Sequence, residues 1–139
     1  MDLKAHAHLC QVVASLVAAE AGRDAPGLIG AIHDVSDGGL ACAIAEQAIA
    51  SDTGAVIDAA FSVAEWFSES PSRVVVSTER PEELLGRLRD AGISAEVIGV
   101  VGGSRVQGGA SLDVSVDALR RAAHDRIPVA LDDVPGTGA

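Results

Sequence analysis

Several kinds of residue are scarce in this sequence, and each scarcity excludes a class of function. Tyrosine is absent and aromatic residues make up 2% of the chain, which leaves no aromatic platform on which nucleic-acid bases would stack. Ten basic residues stand against 20 acidic ones, for a formal net charge of −10. Such a charge repels both nucleic-acid phosphates and anionic membranes. We therefore expect neither nucleic acid nor a membrane as a partner.

Long apolar runs and cysteines are scarce too. No apolar run approaches the roughly 18 residues of a membrane span, and the first residues do not resemble a signal peptide, so we expect a cytoplasmic protein. The two cysteines, Cys10 and Cys42, stand in separate apolar stretches without a CxxC motif. We interpret both as buried free thiols. We interpret His6, His8 and His124 as surface residues, because none has a partner at useful spacing.

The remaining composition is typical of one globular domain. Hydrophobic residues make up 48% and charged residues 22% of the 139 residues, which is enough for a single ordinary core. Helices are predicted over 3–21, 40–50, 81–92 and 116–126, and strands over 28–32, 54–58, 73–77, 97–101 and 112–115. This alternation predicts an α/β (α+β) fold, with helices packed on a single mixed sheet. We expect the domain to span 1–131 and a disordered tail to span 132–139.

The motif HDVSDGGL at 33–40 combines the groups that bind a nucleotide phosphate. It follows a predicted strand and opens a predicted helix, so its glycines expose N–H groups at a helix N-terminus, where anions bind. Asp34 is a candidate Mg²⁺ ligand, since carboxylates suit that ion. Ser36, Asp37, Gly38 and Gly39 are the candidate nucleotide ligands. The alternative is a helix cap formed by Ser36 or Asp37, with glycines that allow tight packing.

A second polar motif, FSESPSR at 67–73, precedes the strand with the most β-branched residues. Its hydroxyls, acid and arginine suit a sugar phosphate, and Glu69, Ser70 and Arg73 are the candidate substrate-side residues. The alternative is a polar loop that only leads into the strand. The glycine pairs at 102–103 and 108–109 are more typical of hairpin turns than of a phosphate-binding loop.

The order of these motifs resembles one family. HDVSDGGL, a helix, FSESPSRVVV, IGVVGG and LDVSVDALR follow one another, as in the C-terminal domain of phosphoribosylformylglycinamidine synthase, in the aminoimidazole ribonucleotide synthetase superfamily. The resemblance covers about residues 2–128. It implies an ATP-dependent carbon–nitrogen ligase of purine biosynthesis that converts formylglycinamide ribonucleotide to the amidine with glutamine-derived ammonia. The chain resembles the C-terminal domain of the second of that enzyme's two related halves.

The resemblance also implies roles for individual residues. In the family's large single-chain form, the residues that match Asp34 and Ser36 contact the Mg²⁺ and the nucleotide, ATP or ADP, of an auxiliary, non-catalytic site. Glu69 and Ser70 match substrate-contacting residues of the first half, but Pro71 replaces a glutamine there, which argues against substrate contact at this loop.

Other parts of the synthase are implied as partners. The family's catalytic histidine and ATP-binding lysine lie in domains that this chain does not contain, so we expect the isolated chain to be inactive. The implied partners are the remaining synthetase domains, in cis or in trans, together with a glutaminase subunit and a small accessory subunit.

Two other functions are compatible with the motifs. Another superfamily member, such as a selenophosphate or thiamine-phosphate kinase-like protein, would share the fold, but the FSESPSR motif argues against it. A nucleotide-binding or scaffold module without a catalytic partner is the alternative from a different class. The sequence leaves open whether the nucleotide is auxiliary or reacting.

Overall fold

Helices and strands alternate along most of the chain, as the sequence pattern predicts. The computed structural model describes residues 2–20, 27–109 and 112–124. Its helices are α1 (Leu3–Glu20), α2 (Gly39–Ser51), α3 (Val63–Trp66), α4 (Pro81–Asp90) and α5 (Val116–His124). Its strands are β1 (Ala31–Asp34), β2 (Ala55–Ile57), β3 (Val74–Ser77), β4 (Gly99–Val101), β5 (Arg105–Gly108) and β6 (Leu112–Ser115). The α/β class is confirmed, while the predicted tail at 132–139 lies outside the described residues.

The described strands form two sheets, which corrects the prediction of a single one. β1 pairs with β3, and the other four strands pair in the order β4-β2-β5-β6. The chain divides into two compact units in the same way, Met1–Gln47 with Phe61–Ile98 and Ala48–Ala60 with Gly99–Ala139. Local periodicity identifies extended segments, but pairing depends on contacts between residues far apart in sequence, so the sequence pattern did not reveal the division.

In the first unit, α1 and α4 pack around one small core. Leu28 is 1% exposed and is surrounded by Leu84 and Leu88 of α4, with Val12 and Leu16 of α1 packed against them. The 3–4-residue spacing of these side chains places them on one face of each helix. Complete burial of a leucine stabilises the fold by about 2 kcal/mol, so this cluster holds the two helices together.

The helix ends in this unit follow from local sequence. Asp2 caps α1, because its side-chain oxygen accepts a hydrogen bond from the Lys4 N–H at 2.9 Å. Ser62 and Glu65 form a capping box at α3. The hydrogen bonds from Ser62 hold the pKa of Glu65 below its ordinary value. The short helix α3 was not predicted, and it leads directly into the FSESPSR motif.

The strand β1 begins three residues later than predicted and ends two residues later. Ala31 pairs with Ser77 and Asp34 with Val74 in an antiparallel register. A two-stranded ladder extends only as far as its partner, so β3 fixes the extent of β1. The buried Leu28 precedes the strand, and the polar Asp34 ends it.

The second unit is built on the four-stranded sheet. β2 lies between β4, which is antiparallel to it, and β5, which is parallel to it, and β5 pairs antiparallel with β6. The prediction of a hairpin at 102–103 is wrong, because β4 and β5 lie on opposite sides of β2. The strand β5 was missed because glycines flank it, although its alternating burial is typical of a strand with one buried face.

The remaining structural predictions concern the cysteines and the histidines. Cys10 and Cys42 are both free, as predicted, but Cys10 is exposed rather than buried. His6 and His8 do have partners, the hydroxyl of Ser72 and a backbone carbonyl. Those partners belong to distant parts of the chain, which sequence spacing does not reveal. None of the described helices is long and apolar enough to cross a membrane.

Candidate functional site

The antiparallel pairing of β1 and β3 brings the two polar motifs together. Asp34 ends β1 opposite Val74, which begins β3. In an antiparallel pair the end of one strand lies beside the start of the other, so both motifs emerge at the same end of the sheet. The Val35 N–H donates to the Arg73 carbonyl at 2.9 Å, which extends the contact beyond the ladder. The residues that were singled out in two separate stretches therefore form one site.

Gly39 lets the first motif lie directly on the second. Gly38 and Gly39 have φ values of 77° and 68°, a left-handed conformation that glycine adopts without steric cost. A Cβ on Gly39 would lie 2.7 Å from the Phe67 carbonyl carbon and 2.9 Å from the Ser68 carbonyl oxygen. The absence of a side chain at this position is therefore what allows the close approach of the two backbone segments.

The glycine N–H groups are already engaged within the chain. The Gly38 N–H donates to Oε1 of Glu69 at 2.9 Å, and the Gly39 N–H donates to the Ser36 carbonyl at 3.0 Å. Each N–H is a single donor, so neither is directed at an outside ligand in this conformation. The hydroxyl of the exposed Ser36 is a side-chain donor that this turn offers to an anion.

The carboxylates of this turn face solvent. The Asp34 side chain is 72% exposed, and Asp37 is also exposed. Among the described residues, no group of three or more histidines, cysteines and acids is arranged to hold a metal ion. Mg²⁺ commonly binds one or two carboxylates and takes its other ligands from water and phosphate. Asp34 therefore fits a magnesium site as one ligand, while the rest of the shell would come from elsewhere.

His33 and Glu46 support the turn, although sequence analysis did not single them out. His33 Nε2 lies 2.9 Å from Oε2 of Glu46 on α2, and its Nδ1 lies 2.7 Å from the Asp34 carbonyl oxygen. The imidazole thus links the end of β1 to α2 and fixes the backbone that carries Asp34. The two residues are too far apart in sequence for any periodic pattern to indicate this pairing.

The predicted substrate-side residues are used mainly within the motif itself. Glu69 holds Gly38, and the Ser70 hydroxyl lies 2.7 Å from that of Ser68. Arg73 is half-buried, and its guanidinium makes a long contact of 3.5 Å with the Ser68 carbonyl. These contacts position the segment against the glycine turn and leave the Arg73 guanidinium only loosely bound.

Removal of the Glu69 carboxylate should loosen the turn without unfolding the chain. A hydrogen bond of this kind contributes about 1 kcal/mol, so Glu69→Ala should speed hydrogen exchange of the Gly38 amide about fivefold. The matched control is Glu96→Ala, which removes an equal charge from another exposed position. The exchange rate would be measured by NMR. If both variants changed the exchange rate of the Gly38 amide equally, the hydrogen bond between Gly38 and Glu69 would be contradicted.

Solved structures with this fold are known. The structure of PurLQS from Thermotoga maritima matches with a TM-score of 0.66 and 19% identity, over 82% of this chain and 21% of that chain. T. maritima PurL complexed with ATP matches with a TM-score of 0.62 and 22% identity, over 81% of this chain and 21% of that chain. At such low identity the likeness shows the fold alone.

Sequence comparison adds closer relatives. Phosphoribosylformylglycinamidine synthase subunit PurL of Sinorhizobium fredii (strain HH103) is 46% identical over an alignment of 104 residues, and the match covers 71% of this chain and 14% of that protein. The subunit of the same name from Caulobacter vibrioides is 38% identical over an alignment of 102 residues, and this match also covers 71% of this chain and 14% of that protein. The chain thus spans a small fraction of the length of these relatives.

The family model for AIR synthase related protein, C-terminal domain, matches residues 3–110, a stretch that holds both polar motifs. The chain therefore belongs to the AIR synthase related protein family, as a C-terminal domain of that family.

Proposed function

We propose that this chain is the C-terminal domain of the second half of a phosphoribosylformylglycinamidine synthase. In that ATP-dependent ligase it would supply one wall of a nucleotide site. The observation that carries this proposal is the direct contact between the two motifs, made by the Gly38 N–H and the Glu69 carboxylate. Relatives named as the PurL subunit of this synthase, at 46% and 38% identity, support the same assignment.

The site would bind the phosphates of ATP or ADP through a small set of groups. Asp34 would be one ligand of Mg²⁺, and the Ser36 hydroxyl would donate a hydrogen bond to a phosphate oxygen. Asp37, Gly38 and Gly39 would shape the turn that presents these two groups. A bound Mg²⁺ would neutralise the phosphate charge beside the two carboxylates, which would otherwise repel the nucleotide.

The bound nucleotide would be auxiliary rather than reacting. The turn holds two exposed carboxylates, of Asp34 and Asp37, and the hydroxyl of Ser36, and among the described residues no group completes a metal shell. Such a site is suited to hold a nucleotide between this chain and other domains. The reacting groups, the glutaminase subunit and the small accessory subunit would belong to the rest of a cytoplasmic synthase. The segment around Glu69, Ser70 and Arg73 would lie on the side that faces the substrate without contacting it, since Pro71 stands where the substrate-contacting segment has a glutamine.

The purified chain should not form the amidine when ammonia, ATP, Mg²⁺ and formylglycinamide ribonucleotide are supplied. The physical reason is that the chain offers only one wall of a nucleotide site. The measurement is chromatographic detection of the product, and the control is the same mixture with the remaining synthetase domains added. Activity that appears only in the complete mixture would support the proposal.

Two results would contradict this assignment. Turnover by the chain alone would show that it holds the reacting groups. Failure of the chain to restore growth without purines, in a strain whose own synthetase lacks this domain, would show that it does not serve this enzyme. A variant of the chain with an unrelated exposed change, Asp58→Asn, is the control for expression in the same strain.

A further inference from the structure

A group of reactive side chains lies on α1, outside the residues assigned to the nucleotide. His6 and Cys10 are four residues apart, which places them on one face of the helix. His6 Nε2 lies 3.7 Å from the Cys10 sulfur, within hydrogen-bonding reach of a thiol. Cys10 is exposed, so a small molecule in solution has access to the sulfur.

The imidazole of His6 is held from its other side. His6 Nδ1 lies 3.0 Å from Oγ of Ser72, and the contact is partly buried. Ser72 has a φ of 65°, an uncommon conformation for a residue other than glycine. When Nδ1–H donates to the Ser72 hydroxyl, the lone pair of Nε2 faces the thiol. The three side chains thus form a cysteine–histidine pair whose ring is oriented by a third group, the arrangement that activates nucleophiles.

We propose that Cys10 is a site of thiol–disulfide exchange with small disulfides, with His6 as its base and Ser72 as the positioning residue. His6 Nε2 takes the thiol proton, and the Cys10 sulfur attacks one sulfur of the disulfide. A new sulfur–sulfur bond forms while the old one breaks, and the released thiolate takes the proton from His6. Cys10 is oxidised to a mixed disulfide and the other half of the reagent is reduced to a thiol, so atoms and electrons balance.

The charge of the chain restricts the reagent. The formal net charge of −10 repels anionic disulfides and lowers their concentration near the surface. Neutral or cationic disulfides are therefore the matching class, and neutral hydroxyethyl disulfide is a suitable probe.

Cys42 is an internal reference for this reactivity. It is only partly exposed, and its sulfur lies against the Gly38 backbone, so that a Cβ on Gly38 would overlap it. Among the described residues the cysteine–histidine hydrogen bond is that of Cys10, and Cys42 has none. The same probe should therefore modify Cys10 well before Cys42.

The test compares exchange rates of the purified 139-residue chain with hydroxyethyl disulfide, measured for each cysteine by mass spectrometry after acid quenching. We expect His6→Gln to slow the reaction of Cys10 at least about tenfold, because the base is lost. Ser72→Ala should slow it as well, because the ring loses its orientation. The matched control is His8→Gln on the same helix, whose histidine contacts the Ala91 carbonyl instead, and it should leave the rate unchanged.

A second measurement does not depend on how the variants fold. In the wild-type chain Cys10 should exchange at least about tenfold faster when folded than in urea, where His6 is no longer held beside it. Equal rates in the folded and unfolded chain would overturn the proposal. An equal loss of rate in His6→Gln and His8→Gln, both with native circular dichroism, would overturn it as well.

Discussion

Replacement of Gly39 by alanine should destabilise the chain by about 3 kcal/mol. Two costs add at this position. The φ of 68° is unfavourable for any residue with a Cβ, and that Cβ would lie 2.7 Å from the Phe67 carbonyl carbon. The obstructing atoms belong to backbone, which cannot rotate away as a side chain would. Urea unfolding followed by circular dichroism would measure the loss.

The control variant Gly92→Ala separates the conformational cost of a positive φ from the steric cost of the added Cβ. Gly92 has nearly the same φ, 72°, but a Cβ there would meet no atom within 4 Å. This control should therefore lose only the conformational part, about 1 kcal/mol. If the two variants lost equal stability, the close approach between the glycine turn and the FSESPSR motif would have no energetic weight. The site would then not depend on that contact.

The parts of the fold that could be predicted are those that local sequence determines. The start of α4 at Pro81, with Glu82 and Glu83 in its first turn, follows from the fixed φ of proline and the favourable charge of the acids. The β-branched run of β3 is equally local. The pairing of β2 between β4 and β5 was not predictable, because the partners are 40 or more residues away in the chain and meet only in the folded sheet.

In the candidate site, too, local features could be predicted and contacts between distant residues could not. Both motifs could be found in the sequence, because each concentrates polar side chains next to a predicted strand, although the same residues also occur in caps and ordinary turns. The contact between Gly38 and Glu69 depends on the register of β1 against β3, which no pattern in either motif specifies. The His33–Glu46 pair was missed because its two residues, on β1 and α2, are too far apart in sequence for a periodic pattern to indicate the contact.

The internal hydrogen bonds of the glycines alter the expected chemistry of the turn. Sequence reasoning predicted N–H groups free to bind phosphate, whereas those of Gly38 and Gly39 are donated within the chain. The glycines therefore act through shape, because Gly39 lets two backbone segments meet and Gly38 leaves room for the Cys42 side chain. The proposed binding of nucleotide then depends chiefly on the side chains of Asp34 and Ser36.

In the complete synthetase, Asp34→Asn should weaken retention of the nucleotide and lower the melting temperature in its presence. The change removes the charge that would balance Mg²⁺ and keeps the size of the side chain. A ligand that binds only the folded state at 100 times its dissociation constant stabilises it by about 2.7 kcal/mol, and most of this should be lost. Melting temperature, co-purified nucleotide and kcat would be measured together with Mg²⁺ and ADP present and absent.

The nucleotide-free comparison shows whether Asp34 matters to the fold itself. Its carboxylate lies 3.8 Å from His33 Nδ1 and is 72% exposed, and exposed pairs of this kind contribute little. Wild type and Asp34→Asn should therefore melt alike without nucleotide. Asp58→Asn, the same change at another exposed aspartate, should match wild type in every condition.

The value of kcat distinguishes an auxiliary nucleotide from a reacting one. If the nucleotide only holds domains together, turnover per folded molecule should remain close to that of wild type. If it reacts, loss of a metal ligand should lower kcat by orders of magnitude, because the developing phosphate charge would lose its stabilisation. A collapse of kcat with unchanged melting would refute the auxiliary role and place Asp34 among the catalytic metal ligands. Unchanged nucleotide retention would instead refute any contact between Asp34 and the metal.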